Sequence, residues 1–228
     1  KAQLQAEPYD AVIDLQGLTK SAIVARLARG TRFGLANQTE GSSYEAPAGW
    51  LVDHAIRIEP HIHAMDRSRA LVAAVLGRPA QGPPKYGLHA SKRVFRSATP
   101  TVTFVHGTSR DDKLWPVEHW IQLGKRVIEA GWRIGLPQGN EMEHTRAELI
   151  AAGLQYEKAF HVEVWPTLPL DAVRDRMALT QGVIGVDSGL SNVAVALDLP
   201  HVQLYNVPTA WRTGPLPALG HRHQVALE

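Results

Sequence analysis

The residues with most chemical potential in this chain are gathered in one string, His106-Gly-Thr-Ser-Arg-Asp-Asp-Lys-Leu-Trp-Pro116. It brings two hydroxyls, on Thr108 and Ser109, and one ammonium, on Lys113, to the start of a helix-like segment. That segment, Val117 to Ala130, carries Trp120, Leu123 and Val127 at helical spacing. Pro116 suits a first helical turn, where there is no intrahelical N–H bond to lose. Hydroxyls and a lysine beside the free amides of a helix N-terminus favour an anion such as a phosphate. The same residues would equally serve as helix caps with a solvated lysine.

Three further segments carry candidate groups. In Pro137-Gln-Gly-Asn-Glu-Met-Glu143, Gly139 allows a tight turn and Glu143 falls in a first helical turn. That carboxylate either complements the helix dipole or grips two neighbouring ribose hydroxyls. Trp165-Pro-Thr-Leu-Pro169 is apolar enough to wall a flat base, or is simply a rigid connection. Val183-Ile-Gly-Val-Asp187-Ser-Gly-Leu-Ser-Asn192 delivers Asp187 from a buried strand into a turn. There Gly189 lets the backbone approach a ligand, and the next helix points its amides the same way. Asp187 would repel a phosphate, which leaves it sugar hydroxyls or the cap of the following helix.

The elements that must position these loops alternate regularly. Strands are expected at 101–105, 132–136, 161–164, 183–186 and 201–205, and helices at 117–130, 141–152, 170–180 and 190–198. Apolar strands alternating with helices imply an α/β fold with a parallel sheet covered on both faces. Ligands in such sheets sit beyond the carboxyl ends of the strands, so every strand-to-helix loop is a site candidate. The first half reads as a strand at 11–15, a helix at 18–29 stopped by Gly30, a strand at 31–35, a loop over 37–49, and a helix at 65–76 ended by Gly77. Residues 77–85 have the proline and glycine density of a linker or exposed loop. Domains are expected at 1–95 and 96–228. No Gly-x-Gly-x-x-Gly follows a strand, which argues against a dinucleotide-dependent dehydrogenase.

Composition narrows the classes further. The 228 residues are 44% hydrophobic and 20% charged, with a formal charge of +2 and eleven histidines. That balance lacks the concentrated basic stripe of a nucleic-acid binder, so no nucleic-acid partner is expected. With no cysteine, neither a disulfide nor a thiolate metal site is available. No apolar run approaches the ~20 residues of a membrane span, and no leader pattern stands at Lys1. The expectation from these features is a soluble cytoplasmic protein.

The 106–116 string with Glu118-His119-Trp120 behind it resembles the ADP-heptose:lipopolysaccharide heptosyltransferase family. So do Tyr9-Asp-Ala-Val-Ile-Asp-Leu-Gln-Gly-Leu-Thr-Lys-Ser-Ala22, Val186-Asp-Ser-Gly-Leu-Ser191 and, more loosely, His63-Ala-Met-Asp-Arg-Ser-Arg69. The resemblance keeps its order through most of the chain. The Arg110-Asp-Asp-Lys113 run matches members that add the first heptose, whereas members acting on the next heptose carry Pro-Gly-Ala where His106-Gly-Thr stands.

The resemblance implies a GT-B glycosyltransferase of two Rossmann-like domains, with the N-terminal, acceptor-binding one truncated and the C-terminal one holding the donor. It implies inverting transfer of L-glycero-D-manno-heptose from ADP-heptose to the Kdo of Kdo2-lipid A in inner-core synthesis. No metal or other cofactor is expected, and the protein would act as a monomer, peripheral on the inner face of the inner membrane. Donor contacts carried over fall on Thr108, Ser109, Lys113, Glu143, Leu168, Asp187, Ser188, Gly189 and Asn192, with Lys113 and Asp187 in catalytic roles. The family more often has histidine at Asn192, and its Gly-Pro-Thr appears here as Asn206-Val-Pro-Thr209. An anionic acceptor headgroup would meet Arg57, His61, His63, Arg67 and Arg69. The family's general base, an aspartate, belongs to a loop upstream of Lys1. The chain therefore reads as a fragment trimmed at both ends, with no heptose transfer of its own, and Glu228 as a cloning remnant. Asp14, the nearest internal substitute, reads as a cap. The alternatives are transfer to a later core heptose and a non-catalytic nucleotide-sugar binding module.

Overall fold

The computed structural model describes residues 2–80, 82–90, 99–154, 161–216 and 223–228. They divide into two compact units, residues 1–82 and 83–228. The division falls within the proline- and glycine-rich stretch, earlier than the 95/96 boundary expected from sequence. One reason is Tyr86, whose hydroxyl donates to the Leu216 carbonyl at 2.6 Å and ties its segment to the second unit.

The first unit runs α1 (Ala2–Gln5), β1 (Val12–Ile13), α2 (Thr19–Leu27), β2 (Arg32–Leu35), α3 (Ala46–Trp50), β3 (His54–Ile56) and α4 (Ala64–Leu76). Its three strands form a parallel sheet in the order β1-β2-β3. α4 ends as its sequence dictates: Gly77 takes the left-handed conformation at φ 62°, and its amide returns to the last turn. Leu71 of α4 packs with Leu35 and Ile58 in a small core. Two elements here were not expected. α3 arises inside and beyond the segment read as loop, because Pro47 sits in its first turn, where proline is tolerated. β3 is three residues long and mostly exposed, too short to show a period.

The second unit runs β4 (Thr101–Val105), a 3-10 turn (Asp111–Lys113), α5 (Val117–Glu129), β5 (Arg133–Leu136), α6 (Glu141–Leu154), β6 (Val162–Val164), α7 (Leu170–Met177), β7 (Gly182–Val186), α8 (Gly189–Ala196), β8 (His201–Leu204), α9 (Ala210–Thr213) and β9 (Gln224–Leu227). The expected strands and helices appear within a few residues of their predicted limits. β9 and the single-turn α9 were not anticipated, because residues 206–228 show no clean period.

All strands of this sheet are parallel, in the order β6-β5-β4-β7-β8-β9. Consecutive residues of a strand face opposite sides, and β4 uses both. Phe104 enters the core with Trp120, Ile134 and Ile150, whereas Val105 enters the one with Trp165, Met177 and Ala194. The chain leaves β4 toward β5 and β6 on one side, then returns to β7 on the other. The loops after β4 and β7 therefore part at the centre of the sheet, where its carboxyl edge leaves a crevice.

Candidate functional site

A cleft of about 500 Å³ opens at that crevice. It is lined by Gly107, Thr108, Ser109 and Lys113 from the loop after β4, by Glu143 of α6, and by Asp187, Ser188, Gly189 and Asn192 after β7. The structure thus brings together every expected donor-site residue except Leu168. That side chain packs instead on the core beside Trp165, because it precedes the helix start. Leu170, the first residue of α7, takes its place in the wall.

At the centre, Lys113 Nζ lies 2.6 Å from Asp187 Oδ2, with the two side chains only 26% and 10% exposed. Thr108 Oγ1 donates to the Asp187 carbonyl at 3.0 Å, which joins the two loops directly. Ser188 occupies the N-cap of α8, and Ser191 Oγ donates back to the Val186 carbonyl at 2.6 Å. A Cβ on Gly189 would meet nothing within 4 Å. The Ser188 hydroxyl caps this helix by accepting the Ser191 N–H at 3.5 Å, and Gly189 beside it lines the cleft.

Glu143 takes the first of its two expected roles, at the start of α6. Oε2 accepts the Gly139 N–H at 2.7 Å, while its own amide donates to Asn140 Oδ1 at 2.9 Å, so it helps to close the start of α6. Its other oxygen faces Gly107, where a Cβ would come within 2.7 Å of Oε1. Only glycine at 107 admits this carboxylate to the cleft wall.

Sequence reasoning missed three residues of this neighbourhood. Arg146 of α6 donates through Nε to the His106 carbonyl at 3.2 Å and through Nη2 to the Trp115 carbonyl. Asn206, just after β8, donates through Nδ2 to the carbonyls of Asp112 at 3.2 Å and Leu114 at 2.8 Å. His106 is fully buried at the cleft base; burial and then the charge of Arg146 push its pKa down to about 4, so it is neutral. Two signals were available. Arg146 shares a helix face with Glu143 at i,i+3, and Asn206 stands at the carboxyl end of a strand of a parallel sheet.

In the first unit Asp14 is buried and caps, as its position suggested: Oδ1 accepts the Gln16 N–H at 2.9 Å and Oδ2 the Ser21 hydroxyl at 3.0 Å. The expected acceptor residues are mostly engaged in local structure. His61 pairs with Glu40 at 2.7 Å. His63 caps α4 by accepting the Met65 N–H at 3.1 Å. Arg67 donates to the Leu15 carbonyl at 3.4 Å, and Arg69 to Asp66 at 3.1 Å and the Gly82 carbonyl at 2.6 Å. Arg57 is exposed after β3. Among the described residues no helix is long and apolar enough to cross a membrane. Nor do any three histidine or carboxylate side chains group to hold a metal ion.

A parallel sheet in this strand order, with its polar groups converging at the switch point, defines a Rossmann-like ligand-binding unit. The chain belongs to glycosyltransferase family 9, the heptosyltransferases, whose family model matches residues 1–225. It is 40% identical over 208 residues to lipopolysaccharide heptosyltransferase 1 of Escherichia coli K12, covering 89% of this chain and 62% of that protein. It thus spans under two thirds of the length of that relative. The solved structure of the E. coli heptosyltransferase WaaC with ADP matches at a TM-score of 0.81 and 34% identity, over 99% of this chain and 68% of that one. WaaC with ADP-2-deoxy-2-fluoro heptose matches at 0.79 and 35%, over 100% and 68%. The fold is the parallel-sheet α/β fold of these GT-B heptosyltransferases.

Proposed function

We propose that the cleft of the second unit is the ADP-heptose site of a lipopolysaccharide heptosyltransferase. The enzyme would transfer L-glycero-D-manno-heptose, with inversion and without a metal, to the Kdo of Kdo2-lipid A. It would work as a peripheral monomer on the cytoplasmic face of the inner membrane. The observation that carries the reading is the Lys113–Asp187 pair, 2.6 Å apart beside the N-terminus of α8 in the switch-point cleft. One relative, E. coli WaaC, solved once with ADP and once with ADP-2-deoxy-2-fluoro heptose, supports the same ligand class.

The chemistry assigns each group a task. The acceptor oxygen bonds to the anomeric carbon as the bond from that carbon to the β-phosphate oxygen breaks. The electron pair leaves with ADP, and the acceptor proton passes to a carboxylate base. Charge therefore accumulates on the diphosphate. Lys113 and the amides of α8 are fixed groups that stabilise it, and they need little reorganisation at the moment of transfer. As Lys113 turns toward the phosphates, Asp187 is released to accept hydrogen bonds from heptose hydroxyls. Glu143 accepts from the ribose, and Ser109, Ser188 and Asn192 complete the polar wall.

The test is calorimetry with ADP, ADP-heptose and NAD at equal concentration, followed by ADP release from ADP-heptose with and without Kdo2-lipid A. Binding of the two ADP ligands but not NAD is expected, with acceptor-dependent release from an enzyme that also holds the carboxylate base. Equal affinity for NAD, or no affinity for ADP-heptose, would overturn the reading.

A further inference from the structure

The string that holds Lys113 has only one turn of regular structure, Asp111–Lys113, between β4 and α5. Backbone carbonyls in such a stretch need donors from elsewhere, and here two side chains from distant elements supply them. The Arg146 guanidinium reaches the carbonyls of His106 and Trp115, one near each end of the string. The Asn206 carboxamide reaches those of Asp112 and Leu114, the residues immediately before and after Lys113. With Thr108 joined to the Asp187 carbonyl, the string is held at its ends by α6, at its middle by the end of β8, and on its inner side by β7.

We propose that Arg146 and Asn206 are positioning residues that fix the backbone of Lys113 so that its ammonium meets the anionic part of the ligand. This rests on the reading of the cleft as an ADP-sugar site. Neither side chain lines the main cleft, although Arg146 borders the adjoining hollow with Gly107, Thr108 and Glu143; what both hold is the backbone of the string. The roles fit the side-chain chemistry. A guanidinium is a planar fork of donors that can bridge two separated carbonyls, whereas an ammonium on a flexible stem cannot hold the same geometry. A carboxamide offers two N–H donors from one nitrogen, enough for two carbonyls. Lysine has a long flexible stem, so an unfixed backbone would let its charge wander over several ångströms. A misplacement of about 1 Å is already enough to weaken a charged contact severely.

The experiment compares Arg146→Gln, Arg146→Lys and Asn206→Leu with the unaltered chain and with Lys113→Ala. The first readout needs no nucleotide: acylation of the Lys113 amine, followed by peptide mass spectrometry and normalised to the exposed Lys125 of α5. The second is ADP affinity by calorimetry. Arg146→Gln and Asn206→Leu should each raise relative Lys113 labelling several-fold and weaken ADP binding by about tenfold. Arg146→Lys should fail to restore the unaltered values. A merely structural role would lower the melting temperature while leaving the Lys113-to-Lys125 ratio unchanged, and that result overturns the proposal. If Lys113→Ala loses ADP binding while the Arg146 and Asn206 variants keep it, positioning is rejected and the nucleotide site stands. If the unaltered chain itself binds no ADP, the site reading fails, and the labelling ratio still decides whether the two residues hold Lys113.

Discussion

Mild acid should destabilise the second unit, because two of its histidines are folded in neutral form. His106 and His201 are 0% and 1% exposed, and burial is the leading cause that lowers each pKa from 6.5 to about 4. For His106 the nearby charge of Arg146 adds to burial. Unfolding returns both imidazoles to water and to about 6.5. The folded value lies below the unfolded one, so the stabilisation is complete above pH 6.5 and is lost as pH falls from there toward 4. One pKa unit corresponds to 1.36 kcal/mol, so each histidine costs about 2 kcal/mol by pH 5. Together that is roughly 4 kcal/mol against a total stability of about 5–15. The assay is thermal unfolding between pH 8 and 5 of the unaltered chain and of His201→Leu. His201 is the useful position because neither ring nitrogen has a hydrogen-bond partner among the described residues. Leucine of similar volume therefore removes the titration without breaking a bond. The unaltered chain should lose on the order of 10 °C across this range, and His201→Leu about half as much. Identical pH profiles for the two proteins would refute the reasoning.

Lys113→Ala should weaken ADP binding by about 1.5–3 kcal/mol, the scale of a hydrogen bond to a charged partner; unchanged calorimetric affinity would remove this lysine from the site. Asp187→Ala should reduce affinity for ADP-heptose more than for ADP, and equal losses would count against its contact with the sugar. Gly185→Ala would set a Cβ 2.4 Å from Ser191 Oγ and 2.9 Å from Val105 Cβ. Denaturant unfolding should show a loss of about 1–3 kcal/mol, and unaltered stability would mean that the β7–α8 packing gives way freely. If Arg57, His61, His63 and Arg67 meet an anionic acceptor, its affinity should fall between low and physiological salt, where screening acts over ~8 Å; a flat salt profile would reject that role.

The second unit was largely legible because its signals are long and mutually consistent. Buried strands such as Thr101–Val105 and Gly182–Val186 are short apolar runs, and α5 turns Trp120, Gly124 and Ile128 to one side. Alternation then fixes a parallel sheet, and a parallel sheet fixes where its loops converge. Residues within one loop were therefore found together. The misses share a cause: their roles depend on contacts distant in sequence. Arg146 and Asn206 serve the loop after β4 from 40 and 92 positions away, and no local period encodes such a pairing. Leu168, expected at the donor, packs on the core while Leu170 two residues later lines the cleft, since a loop sequence does not reveal which apolar side chain faces the core. In the first unit, β3 is too short to carry a period. Of the residues expected to receive an acceptor, His61, His63, Arg67 and Arg69 have partners within the first unit that charge counting does not see.

If the cleft binds an ADP-sugar as proposed, the Lys113–Asp187 pair would give it a selectivity that a lone lysine would lack. Its cation is paired at 2.6 Å with a carboxylate only 10% exposed. An anion that draws Lys113 away leaves that carboxylate desolvated and without its partner, and a buried unpaired charge costs more than a weak contact returns. A simple phosphate offers nothing in exchange and adds repulsion. On the proposed reading, a diphosphate joined to a sugar would offer both halves of the exchange, its oxygens to Lys113 and its hydroxyls to Asp187. The rest of the lining is compatible with the same proposed ligand: the N-terminus of α8 suits negative charge, and Glu143 also lines the cleft, with one oxygen already committed to Gly139. If the cleft is an ADP-sugar site, it would discriminate by requiring both partners at once, and Asp187→Ala should then narrow the difference between ADP-heptose and ADP rather than merely weaken both.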